Sequence, residues 1–386
     1  MRYRLEGDGV SIGVDGDRLV APHGRFDFTL RVGAGELRPG LINAHDHLHR
    51  NHYPRLGTPP YEDAYAWGRD LHANFTGEIA RARSLPRRDA LLFGALKNLL
   101  GGVTTVVHHD AWEHDFELDF PVRVARLRCV HSPGFDAAGM NAAAVAGAGG
   151  TPLTIHVAEG TNGAAADEVR TLHRAGLLDS SLFAVHVVGV DDDGVDRLHA
   201  AGAAVVWCPT SNLYLFGRTA PPRLLACGDV LLGTDALLTS AGTMLDELRV
   251  ARALGCVDDD RLRAAVGSSA ARRLGLGPFT LEAGAAADLL LLRRPLLAAS
   301  ALDVALVIVA GVPRFGAAEF APFFQRAGVR TGEITVCDMT RLVSRPLAST
   351  AQRVLREWPE CGRIFHAAGV GDVTPLVDAP VVLQQR

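Results

Sequence analysis

Between Leu41 and about Gly275, short apolar runs alternate with longer Ala- and Leu-rich stretches, and no other property narrows the accessible folds as much. The runs are Leu41-Ile42, Val103-Thr104-Thr105-Val106-Val107, Leu153-Thr154-Ile155, Phe183-Ala184-Val185, Ala204-Val205-Val206-Trp207 and Val230-Leu231-Leu232. Stretches such as Ala165 to Ala175 and Asp191 to Ala201 have helical length. Buried strands separated by helices imply parallel pairing with crossover connections. A closed (β/α)8 TIM-like barrel of the α/β class is expected over an open sheet, because polar residues at successive strand ends then converge on one mouth. Hydrophobic residues at 48% and charged ones at 21% of 386 positions suffice for a core of that size.

The flanking segments read differently. Val10-Ser11-Ile12-Gly13-Val14 and Phe26-Asp27-Phe28-Thr29-Leu30-Arg31-Val32 alternate at the strand period between Gly and Asp turns, which predicts small antiparallel strands. Past Gly275, Leu289-Leu290-Leu291-Leu292 and Val304 to Val309 are strand-like again. The expected organisation is a small β-sandwich domain built from both chain ends: residues 1–38 supply its first part, 39–275 the barrel, and 276–386 its second part plus a tail. That tail holds a helical segment from Ala348 to Trp358 and an apolar Pro380-Val381-Val382-Leu383 run of no readable role.

Chemistry concentrates at the ends of the apolar runs. After Pro39-Gly40-Leu41-Ile42 comes Asn43-Ala44-His45-Asp46-His47-Leu48-His49. Alternation along a strand puts His45, His47 and His49 on one face, so adjacent pairs of them could grip a cation, while a histidine-rich polar loop is the bland reading. His156 and, three residues on, Glu159 follow Leu153-Thr154-Ile155; His186 follows Phe183-Ala184-Val185; Asp235 follows Leu231-Leu232-Gly233-Thr234. Each alone could cap the next helix. Together with a His-X-His pair they predict a site at the barrel mouth, with Glu159 on a loop that curls inward.

These residues resemble the amidohydrolase superfamily, in its branch of cytosine deaminase, guanine deaminase, adenosylhomocysteine deaminase and triazine chlorohydrolases. The similarity rests on Pro39 to His47, Gly101-Gly102-Val103-Thr104-Thr105, His156-Val157-Ala158-Glu159, His186, Cys208-Pro209-Thr210-Ser211-Asn212-Leu213, Leu232-Gly233-Thr234-Asp235, Leu245-Asp246-Glu247-Leu248 and Gly284 to Leu289. It implies that His45, His47, His156 and Asp235 hold one divalent metal ion, Zn2+ or in competition Fe2+. It selects His45 with His47 over His47 with His49. It also implies that Asp235 and His186 orient or deprotonate water and that Glu159 carries protons. Binuclear relatives use a carbamoylated lysine on the fourth barrel strand; the single lysine here, Lys97, falls in a predicted helix, so one metal is expected.

The favoured reaction is hydrolytic deamination of a cyclic amidine such as a purine, pyrimidine or pterin. Chlorohydrolysis, hydrolysis of a formimino or guanidino imine, and cyclic amide opening are alternatives on the same machinery, and a non-catalytic barrel protein is the rival from another class. Candidate substrate contacts are Trp67, His109 of the His108-His109 pair, Ser211, Asn212 and Arg218, the last through an anionic substrate group. Around Ser211 the sequence departs from the glycine-rich continuation usual in relatives.

The net charge of −4, without a basic cluster, points to a small-molecule substrate and away from nucleic acid or a membrane surface. Self-association into a homo-oligomer stays open. Six cysteines without CxxC spacing read as reduced thiols, and the N-terminus carries no hydrophobic signal core, so a cytoplasmic protein is expected.

Overall fold

The alternation forms two parallel rows. In the computed structural model, which describes residues 1–7, 9–146 and 151–366, Leu41–Asp46, Val103–His108 and Arg123–Ala125 pair in that order. Arg128–Val130, Leu153–Val157, Leu182–His186, Ala204–Trp207 and Asp229–Leu232 pair in a second row. Only Arg126 and Leu127 separate Arg123–Ala125 from Arg128–Val130, so no crossover helix intervenes and one bent run carries both rows. At the other end, the amides of Thr234 and Asp235 donate to His45 O at 3.0 and 3.1 Å. This brings the last strand against the first.

Local sequence explains the helices between the rows. Asp191 accepts from Gly194 N at 2.8 Å to start Asp192–Ala201, and Gly202, at φ 65°, stops it. Asn162 does the same for Gly163–Arg174 through Ala165 N. Helix Arg87–Leu100 is buried continuously from Ala90 to Leu100, Lys97 included. Helices Ala64–Asn74 and Thr76–Arg83, unanticipated in the sequence, lie between the first strand and Arg87.

The chain ends share a sheet. Leu289–Leu292 pairs antiparallel with Glu36–Pro39 and with Val304–Val309, in a sheet that continues through Val312–Ala317, Met339–Ser344 and Thr331–Val336. A second sheet holds Arg18–Val20, Val10–Asp15, Arg2–Gly7 and Phe28–Arg31. The two share an apolar core in which Tyr3, Leu5 and Val14 meet Leu289, Leu291 and Phe324. One expectation is corrected: Phe28–Arg31 pairs parallel, not antiparallel, with Arg2–Gly7, because a long connection separates it from the hairpin ending at Val20. The tail helix spans Arg345–Glu357, while the Pro380 to Leu383 run lies outside the described residues. Among the described residues no helix is long and apolar enough to cross a membrane.

Candidate metal centre and cavity

The first strand carries His45 and leads into His47, Leu153–Val157 carries His156 beside them, and His47 and His156 line a cavity of about 610 Å3. His45 Nε2 and His156 Nε2 are 3.3 Å apart, and Asp235 Oδ1 stands 3.6 Å from His45 Nε2 and 3.7 Å from His47 Nε2. Metal–nitrogen bonds of about 2.0–2.1 Å in a tetrahedral shell put ligand atoms about 3.3–3.4 Å from one another. The His45–His156 separation matches that edge, and the two to Asp235 exceed it by about 0.2–0.4 Å.

Protonation fits such a shell. Burial drives His47 and His156 well below the ordinary histidine range, aided by neighbouring positive charge, and lowers His45 against the pull of Asp235. Neutral imidazoles present lone pairs, the form a cation requires. Burial pushes the Asp235 carboxyl up, yet the His45 hydrogen bond, the His186 and His45 charges and the Ser211 hydroxyl together hold it well below the usual carboxylate range. Its Oδ2 accepts from Ser211 Oγ and Thr239 Oγ1, each at 2.8 Å, which leaves Oδ1 to the imidazoles. The Nδ1 atoms of His45, His47 and His156 are buried without a hydrogen-bond partner among the described residues.

Backbone conformation aims these groups. Ala158, His186 and Asp235 occupy the left-handed region at φ 51°, 72° and 50°, where non-glycine residues are held at a cost of about 1–2 kcal/mol each. The turn at Ala158 swings Glu159 off the strand direction and into the cavity, as the inward-curling loop required. Gly233 lets the last strand approach the first: a Cβ there would lie 2.6 Å from His45 Cβ and 3.0 Å from Cys208 Sγ.

Glu159 Oε1 is 3.6 Å from His186 Nε2, and both residues line the cavity. Burial lifts the Glu159 carboxyl to about 7 against the opposing charge of His186. His186 Nδ1 pairs with Asn212 Oδ1 at 2.9 Å, and Asn212 Nδ2 donates to His186 O at 3.3 Å. The ring is thereby fixed with Nε2 toward Glu159.

The substrate candidates divide. Trp67 lines the cavity and donates from Nε1 to Leu56 O at 3.0 Å. Ser211 and Asn212, both fully buried, act behind the site as supports of Asp235 and His186. His109 is buried beneath His156, its ring stacked at 4.0 Å, with Nε2 on Val130 O and Nδ1 near Thr154 Oγ1. Arg218 follows the helix Pro209–Phe216 and is absent from the cavity lining. The arginines of that lining are Arg50, Arg83 and Arg87, which sequence reading missed. His49 also lines it, 3.2 Å from Asp110 Oδ2, and could form a second cation group with His108 and Asp110; Arg50 Nε and Arg87 NH2 occupy its His49 and Asp110 atoms instead.

Behind the ligands lies a polar network. Lys97 Nζ donates to Asn51 Oδ1 at 2.9 Å and to Thr234 Oγ1 and Asp235 O at 2.8 Å, and stands 3.2 Å from Asp46 Oδ2. Asn43, Asn51 and Asn98 donate to Asp46 as well. Lys97 is thus a support on a helix, as its sequence position implied.

The two-row parallel α/β fold gathers imidazoles and a carboxylate at its strand ends. No protein-family model matches the chain. Solved structures that share the fold include an adenosine deaminase from Xanthomonas campestris with bound zinc, at TM-score 0.63 and 20% identity, covering 81% of this chain and 92% of that one. Atrazine chlorohydrolase from Arthrobacter aurescens TC1 complexed with zinc gives 0.62 and 18%, over 78% and 90%. Among curated proteins, 5-methylthioadenosine/S-adenosylhomocysteine deaminase of Haloquadratum walsbyi is 38% identical over 125 residues, 30% of this chain and 28% of that protein. The deaminase of the same name from Pelotomaculum thermopropionicum is 32% identical over 196 residues, 42% and 45%. The matched segment therefore spans less than half the length of these curated relatives. These likenesses bear out the amidohydrolase resemblance in its deaminase and chlorohydrolase-like form.

Proposed function

We propose that the chain is a metal-dependent hydrolase that deaminates a cyclic amidine and releases ammonia. The observation that carries the reading is that Glu159 and His186 line one cavity with His47, His156 and Asp235, while the buried His45 Nε2 lies 3.3 Å from His156 Nε2 and 3.6 Å from Asp235 Oδ1. Those four residues would hold one divalent cation, zinc or iron(II), which when bound supplies a water acidic enough to yield hydroxide near neutrality. His186 Nε2 and Asp235 orient the attacking oxygen. Glu159, with its carboxyl at about 7, takes up and releases protons at working pH; it protonates the ring nitrogen and then the departing amino group. Water adds across the C=N bond, the C–N bond to the amino group breaks, and ammonia leaves.

The fold reading goes with it. The continuity at Arg126-Leu127 and the Thr234 and Asp235 bonds to His45 O support closure of 39–275 as a TIM-like barrel, in which the bent run counted once gives seven strand positions where a (β/α)8 barrel has eight. The common core of the two terminal sheets supports a β-sandwich domain from residues 1–38 and 276–386. We place the enzyme in the cytoplasm, where buried thiols such as those of Cys208 and Cys361 stay reduced.

An ammonia-release screen over purines, pyrimidines, pterins and guanidino compounds tests the reaction, with zinc and iron assayed on protein purified without chelator. At least one class should release ammonia, and Glu159→Gln should keep its metal while losing about 10²–10⁴-fold in kcat. Metal-loaded protein inert on every class would shift the reading to halide or amide substrates. Protein without metal would favour the non-catalytic rival.

A further inference from the structure

The same cavity also carries a cationic group. Arg50, the last residue of the short turn Leu48–Arg50, is half-buried, and Arg83 closes helix Thr76–Arg83; both line the cavity. Arg50 spends its Nε on His49 Nε2 at 3.2 Å, and its charge reaches His47 and His131. Among the described residues, no carboxylate stands within ion-pair distance of Arg50 or Arg83, whereas the neighbouring Arg87 is matched by Asp110 and Glu113.

The acidic groups of the same lining are already engaged. Asp235 is held by imidazoles and hydroxyls, Glu159 faces His186, and Asp136 accepts the amides of His131 and Gly139 at 3.3 and 2.9 Å. The lining also has an apolar part, formed by Tyr53, Leu56, Trp67, Leu71 and Ile79. A flat ring matches that wall. Two guanidinium groups without carboxylates match a planar anion, which they can bind through charge-assisted paired hydrogen bonds. Inside a cavity with low-dielectric walls such charges also draw anions in from solution.

Building on the deaminase reading above, we propose that the substrate is a heterocycle bearing an anionic substituent, held by Arg50 and Arg83 while its ring lies toward Glu159 and His186. Carboxylate and phosphate share this chemistry. Two matched pairs separate them: pterin with pterin-6-carboxylate, and adenosine with adenosine 5′-monophosphate.

Equilibrium binding to the zinc-loaded enzyme, by pterin fluorescence and by calorimetry, gives a readout independent of turnover. At least one anion should bind about tenfold or more tightly than its neutral partner, as charged hydrogen bonds would provide. High salt should shrink the gap. The double variant Arg50→Gln/Arg83→Gln should abolish it, and Arg87→Gln should leave most of it. Arg83→Gln alone, at an exposed position, carries the test if Arg50→Gln fails to fold; it should reduce the preference about threefold or more. Equal binding within both pairs, absence of binding by either anion, or a preference that survives loss of the arginines would overturn the proposal. Ammonia release is scored separately on the same pairs. A preserved anion preference without any turnover would refute deamination alone, and turnover without the preference would refute the arginine subsite alone.

Discussion

Lys97→Met removes a cation from a site with no exposed surface and leaves Asp46 Oδ2, 3.2 Å away and equally buried, without its counter-charge. Breaking a buried pair in this way costs about 3–5 kcal/mol. The surroundings set the value at the low end. Asp46 keeps the amide donors of Asn43, Asn51 and Asn98 at 3.2, 2.8 and 2.7 Å. The acceptors that Nζ abandons have other donors: Leu237 N reaches Asn51 Oδ1, and Thr234 Oγ1 reaches Asp235 O, both at 3.1 Å. We expect a loss of about 3 kcal/mol, and recovery of at least about 1 kcal/mol when Asp46→Asn is added, because the stranded charge is then gone.

Urea unfolding followed by tryptophan fluorescence on chelator-treated protein measures this without the contribution of metal binding. The metal-loaded protein gives a second number. Lys97 also pins Asp235 O at a left-handed backbone position, so zinc affinity should fall about 10–100-fold, as it does when partners behind a ligand are lost. A Lys97→Met variant within about 1 kcal/mol of wild type would refute the argument, since exposed substitutions rarely exceed that. So would a double variant no more stable than the single one.

Ser211→Ala should weaken zinc binding about tenfold in competition with a chelator, since Asp235 Oδ2 loses one of its two hydroxyl donors; unchanged affinity would show Thr239 suffices. Gly233→Ala drives a Cβ into His45 and Cys208 and should cost about 1–3 kcal/mol while lowering metal affinity; an alanine variant as stable and as metal-avid as wild type would contradict that close approach. Glu168 is a pH probe: burial lifts its carboxyl from an ordinary 4.5 to about 7, against hydrogen bonds from Tyr65 and Ala158 N. A raised carboxyl favours folding fully below about 4.5, and that contribution, about 3 kcal/mol, is lost as pH rises through about 7. Glu168→Gln should therefore flatten the fall in Tm between those limits, and an unaltered slope would remove Glu168 as its source.

Residues that end apolar, β-branched runs were legible, because strand period and strand polarity together fix where the next polar side chain goes. His45, His47, His156 and His186 follow from that rule; the cavity gathers the last three with Glu159 and Asp235, and His45 is buried against His156. Arg123–Ala125 and Arg128–Val130 escaped because Arg123, Arg126 and Arg128 interrupt the apolar signal. Ser211 and Asn212 were placed in the right neighbourhood with the wrong target: a sequence gives a residue's type and spacing, while the choice between substrate and a neighbouring ligand depends on which way a helix start faces. Arg50 and Arg83 were invisible for a related reason. Their helices are connections whose packing over the mouth is decided by tertiary contacts, and a charged residue at a helix end reads as solvated surface.

The pairing of Leu289–Leu292 with Glu36–Pro39 has a consequence for biosynthesis. Pro39 and Gly40 lead directly into the strand that carries His45 and ends just before His47, so this strand's anchor is completed by residues made some 250 positions later. During translation the early edge stays open and its histidines lack a fixed partner until the far segment has left the ribosome. A nascent chain halted before Leu289 should therefore be protease-sensitive at its N-terminal segment, and metal capture should follow emergence of Leu289–Leu292 rather than of the histidines themselves.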